Sequence, residues 1–132
     1  MFSRSDELIL KWLNEEIKLD PPIENIIKEF SNGYRFAEIL YNINEITEDQ
    51  FNEFNESQTT YQIKENFSLL KKYFKENLEL EVRKDEFNDI MNKDISKAVV
   101  VLYKLKNAIS KKKIQFHKIR IALNDLTQEE NV

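Results

Sequence analysis

Apolar residues return along this chain at the three- and four-residue spacing of a helix, and helix-stopping residues separate one such stretch from the next. Ile9, Trp12, Leu13 and Ile17 mark a first helix. Ser3, with Asp6 three residues later, gives it a start resembling a capping box. Asp20-Pro21-Pro22 ends it, because proline lacks a donor and pushes its predecessor out of the helical region. Pro22 is placed to open a short second helix through Ile23, Ile26, Ile27 and Phe30. Ser31-Asn32-Gly33 then leads into a helix carried by Phe36, Ala37, Ile39, Leu40 and Ile43. Gly33 is the only glycine of the chain, so it is expected where φ is positive or where a backbone passes too close for a Cβ.

Residues 44–58 are polar and rich in asparagine, with Phe51 and Phe54 spaced for one or two helical turns laid over the core. A long helix is expected from Thr59 or Thr60 through Tyr61, Ile63, Phe67, Leu70 and Phe74, ending near Asn77 in a left-handed residue. Leu78, Leu80 and Val82 alternate with glutamates, but no partner strand is in sight and an extended link is the reading. Phe87, Ile90 and Met91 predict another short helix. Asp94 is placed as the N-cap of a last helix that is apolar nearly all round between Ala98 and Tyr103, as a buried helix is.

The same helix has no stop signal at the edge of the core. Leu102, Leu105, Ile109, Phe116, Ile119, Leu123 and Leu126 keep an a/d heptad register broken only by Lys112. A tail of this kind either folds back on the domain or begins a coiled coil that makes a homodimer. Fold-back is expected, since three heptads are short for an isolated pair. The division is therefore a domain over residues 1–113 and a C-terminal helical extension over 114–132.

Composition narrows the class. The 132 residues fit one domain, and 41% apolar content is enough for a core. One glycine and two prolines leave little turn chemistry for hairpins, so an all-α fold is expected. The absence of cysteine removes a disulfide framework and thiol chemistry and points to a reducing, cytoplasmic compartment. Charged residues throughout the first fifteen, and no apolar run of the roughly 18 to 20 residues a span needs, argue against a signal peptide or a membrane anchor.

The formal net charge of −4 conceals an asymmetry. Residues 1–92 carry 11 Lys and Arg against 20 Asp and Glu, whereas residues 93–120 carry 9 against 1. Lys97, Lys104, Lys111 and Lys118 recur every seven residues and drift only about 20° per heptad. They form one stripe about 31 Å long, roughly opposite Ile95, Ala98, Leu102, Leu105 and Ile109. Lys112, Lys113 and Arg120 broaden it. These seven cations are the candidate partner-binding residues, suited to an acidic surface; ordinary solvated lysines are the competing explanation. Nucleic acid is a poorer partner, because arginine is scarce here and only Tyr103 and Phe116 are interleaved.

Catalytic chemistry finds no support. His117 is the single histidine, which argues against a metal site or a His-based triad. Phosphate-cradling loops need several glycines and an EF-hand loop needs a glycine among acidic ligands; neither pattern occurs. No cofactor is expected.

Two stretches resemble the opening of a calponin-homology domain: Ile9 to Ile17 (ILKWLNEEI) and Lys28 to Leu40 (KEFSNGYRFAEIL). Glu29 and Asn32 replace the two usual aspartates of the turn, and Phe36 stands where leucine is common. Asn66 to Phe74 (NFSLLKKYF) and Phe87 to Leu105 (FNDIMNKDISKAVVVLYKL) are similar to the sperm-flagellar subclass, and the resemblance runs over about residues 5–113. It implies a bundle of four main helices plus short connecting ones and a non-enzymatic role at the cytoskeleton. The expected partner is a microtubule or an axonemal protein, bound by the N-terminal domain of a ciliary or flagellar scaffold. Actin-filament binding is the alternative, and an adaptor that touches no filament is the third.

Overall fold

The computed structural model describes residues 4–130, all of whose regular structure is helical. Helix α1 (Arg4–Lys11) runs into a π-helical turn (Trp12–Glu16). The Ile17 amide donates to Trp12 O at 3.0 Å, and this wide turn buries both Trp12 and Leu13. Its Asn14 side chain then grips the Ile23 backbone from both sides, Nδ2 donating to Ile23 O (3.0 Å) and Oδ1 accepting from Ile23 N (2.7 Å). The capping role expected of Ser3 lies outside the described residues.

Pro22 does not open the next helix. Helix α2 (Ile26–Phe30) starts later, because Asn25 is its N-cap and accepts from Lys28 N at 3.0 Å. Helix α3 (Tyr34–Asn42) follows directly, with Gly33 as its N-cap at φ 83°. The expectation for this glycine holds on both counts, since a Cβ would also lie 3.2 Å from Asn66 Cβ. Helix α4 (Glu48–Phe51) is one capped turn between Thr47 and Gln50, and the chain beyond it buries Phe54. Helix α5 (Thr60–Leu78) ends slightly later than expected. Glu79, not Asn77, takes the left-handed cap, and Asn77 instead donates to Glu45 O at 2.7 Å. An extended link leads to α6 (Lys84–Met91).

Helix α7 (Ile95–Glu130) begins where Asp94 accepts from Lys97 N and packs against α1, α2, α5 and α6. Its buried residues are Ala98, Val99, Val101, Leu102, Leu105 and Ile109, while Val100 faces out. Phe36 stands at the centre of the domain, edge-on to Phe30 (centroids 4.8 Å), Phe67 (6.4 Å) and Phe74 (6.2 Å).

The tail does not fold back. Helix α7 continues unbroken past the domain, and Phe116, Ile119, Leu123 and Leu126 are each 55–57% exposed. With no glycine or proline after residue 33, nothing in the sequence breaks the helix and returns it to a groove.

Candidate functional site

Two polar clusters hold the body that carries α7. Asn66, 1% exposed, donates to Asn32 O (2.9 Å) and Asn55 O (2.7 Å) and accepts from Asn55 N (3.0 Å). It thereby clamps the Ser31-Asn32-Gly33 turn to α5. Arg35 is nearly buried beneath that turn and reaches Glu29 (3.0 Å), Glu38 (3.0 Å) and Pro21 O (2.8 Å). Burial raises the Glu29 carboxyl, but donation from the Asn25 and Glu24 amides and from Arg35 outweighs it and leaves the pKa lowered. At Glu38 burial prevails over Arg35 and the pKa is raised. Both clusters satisfy their polar groups internally. Sequence reasoning missed Asn66 and Arg35, because a mid-helix Asn or Arg gives no sign of what its head group reaches across the fold.

Helix α7 divides the seven candidate cations. Lys104 is only partly in solvent, and its Nζ lies 2.8 Å from Oε2 of Glu86, a carboxylate 2% exposed. Arg83 completes the shell of Glu86 through its backbone amide and Nε, each at 3.3 Å. Burial raises the pKa of Glu86, and these donors more than offset it, so the net shift is downward. Lys112 is likewise turned to the body, donating to Glu45 Oε2 (2.6 Å) and to Asn77 O (2.9 Å), with Phe116 beside it. These bonds tie α7 to the end of α5.

The other cations are left to solvent. Lys111, Lys113, Lys118 and Arg120 are exposed and Lys97 is half-buried, and among the described residues none of them forms an ion pair. At 100° per residue Lys111 and Lys118 share the outer face of α7 with the Lys97–Lys104 row. Lys113 and Arg120 lie about 140–160° round the axis from Lys97, so they broaden no single patch. They form a second row with half-buried Lys106, at the same seven-residue spacing. That spacing was legible, and Lys106 was the residue missed.

Among the described residues no group of His, Cys, Asp or Glu is arranged to hold a metal ion, and no helix is long and apolar enough to cross a membrane. A helical bundle closed around a glycine turn, with satisfied polar clusters and a cationic last helix, defines a calponin-homology-like binding domain. The family model described as CH-like domain in sperm protein matches residues 9–107, and the chain belongs to that family. Such domains are in general non-catalytic modules associated with the cytoskeleton. No match was found among curated proteins or among solved structures.

Proposed function

We propose that this domain docks, without catalysing a reaction, on the acidic surface of a microtubule or an axonemal neighbour through the outer row of α7. In this reading it is the N-terminal part of a ciliary or flagellar scaffold, and its tail makes it a homodimer. One observation carries the reading: Lys111 and Lys118 are exposed on one helix face with no acidic partner among the described residues, at the end of an otherwise acidic body. Lys97 extends the row toward the domain. Lys104 and Lys112 serve the fold rather than the partner, and Lys113 and Arg120 approach an acidic surface only from the other side of the helix.

Co-sedimentation with microtubules and with actin filaments, side by side and across salt, tests this. Binding to microtubules should weaken steeply with salt, because exposed pairs are screened beyond about 8 Å at physiological ionic strength. Lys111→Glu with Lys118→Glu should weaken it more than Lys71→Glu with Lys72→Glu, which changes the charge equally on α5. Equal losses would reduce the outer row to bulk charge, and binding to actin alone would replace the microtubule with the actin filament.

A further inference from the structure

The apolar stripe of the tail is the same stripe that the domain covers upstream. On a helix of 100° per residue, Phe116, Ile119, Leu123 and Leu126 fall in the sector that holds Ala98, Val101, Leu105 and Ile109. The first four are more than half exposed and the second four are buried. The close cover stops near Lys112, whose bonds to Glu45 and Asn77 are the last hydrogen bonds from α7 to the body among the described residues. Beyond them Phe116 and Ile119 line an open groove with Leu78 and Leu80 at the end of α5.

We infer that the stripe is covered by the tail of a second copy of this chain, running antiparallel. Three observations favour this occupant and this direction. A parallel partner helix on the stripe would run upstream into the space that the first copy's own domain fills, and each domain would collide with the other chain. An antiparallel partner runs the other way and keeps the two domains at opposite ends. The stripe also repeats in mirror order: Phe116 meets Leu126 of the second copy, Ile119 meets Leu123, and the two remaining layers follow by symmetry. These are the a-to-d contacts of an antiparallel pair, and Lys112 lies beyond the last of them. Finally, charge changes sign along the tail: Lys113 stands beside the stripe in its first half, and residues 121–132 hold three acidic residues and no basic one. Antiparallel pairing sets basic halves against acidic halves, whereas parallel pairing sets like against like. The short length is no obstacle, because the tail continues a helix already nucleated in the domain.

One contact opposes the pair. Arg120 sits beside the stripe where the two-fold axis crosses it and faces its own copy, so Arg120→Gln should tighten the dimer. In a parallel pair the same residue would face Gln115 and the change would bring no such gain.

The experiment uses the whole chain. Sedimentation equilibrium at rising concentration should move from the mass of one chain to that of two, and Leu123→Glu should hold it at one with melting of the dilute protein unchanged. The chain has no cysteine, so Ser110→Cys accepts a single nitroxide label on an exposed part of α7. Antiparallel pairing centred between Ile119 and Leu123 places the two labels about 33 Å apart along the axis at 1.5 Å per residue. Parallel pairing brings them side by side. A chain that stays monomeric, a dimer that survives Leu123→Glu, or a label separation under about 20 Å would each overturn the inference.

Discussion

Lys104 offers the sharpest test of how the basic helix is divided between fold and surface. Replacing it with Met keeps the aliphatic stem and removes the ammonium 2.8 Å from Glu86, leaving a carboxylate that is 2% exposed with Arg83 alone. Removing one partner of a buried pair costs about 3 to 5 kcal/mol, and a hydrogen bond to a charged group contributes about 1.5 to 3. Lys104 is itself 42% exposed and Arg83 remains, so the lower range applies and about 2 kcal/mol is expected. For a chain of this length that is a fall in Tm of about 6 to 10 °C. Urea unfolding followed by Trp12, the one tryptophan and a buried one, should show a lower midpoint with an unchanged slope. The deficit should also depend on pH with a definite sign. The folded pKa of Glu86 is lowered, so its contribution is present above the ordinary value of 4.5 and is lost as pH falls through the folded value. Wild type and variant should therefore converge in acid, where Glu86 is protonated in both. Glu86→Leu combined with Lys104→Met should return to within about 1 kcal/mol of wild type, since an apolar pair removes the stranded charge. A deficit below about 0.5 kcal/mol, or one that acid leaves unchanged, would refute the assignment of Lys104 to the fold.

Gly33→Ala should cost about 1 to 3 kcal/mol in urea unfolding, because φ of 83° is strained for alanine and its Cβ would crowd Asn66 at 3.2 Å. Asn66→Ala should cost about 3 kcal/mol by the same measurement, since it strips partners from Asn32 O, Asn55 O and Asn55 N at a site 1% exposed. Truncation after Lys113 should leave the melting of dilute protein within about 0.5 kcal/mol of the full chain, because the apolar residues it removes are already in solvent; calorimetry checks this.

The helices and the glycine turn were legible because they rest on local rules. Periodicity placed α3, α5, α6 and the start of α7 close to where they lie, and the single glycine marked the one position that needs a left-handed backbone. Expectations failed where a distant group decided. Pro22 has the right φ for a helix start, but Asn25 can satisfy the free amide of Lys28 and Pro22 cannot, so α2 begins at Ile26. The surroundings of the basic helix were hidden for the same reason. Lys104 and Lys111 are identical in type and heptad position, and only the approach of α6, with Glu86 at its inner face, separates a structural lysine from a surface one. Fold-back of the tail follows only if a short coil must form in isolation; this helix is not isolated, and continuing an existing helix needs no new nucleus.

That continuation bears on the docking proposed above, of an acidic protein on an acidic surface. Residues 1–92 hold nine more negative than positive charges, and two cations of α7, Lys104 and Lys112, are paired with Glu86 and Glu45. A tail folded back on the domain would carry its remaining cations into the same negative field. Extended, it sets Lys118 about 9 Å along the axis beyond Lys112, which is still bonded to the body through Glu45 and Asn77, at 1.5 Å per residue. That is about one Debye length at physiological salt. The field of the acidic body is therefore partly screened where an anionic surface would meet Lys118. Lowering the salt should lengthen the reach of the acidic body more than it strengthens the short contacts of the row. Binding would then pass through a maximum as salt is reduced, where a uniformly basic module would only tighten, and co-sedimentation carried to low ionic strength distinguishes the two.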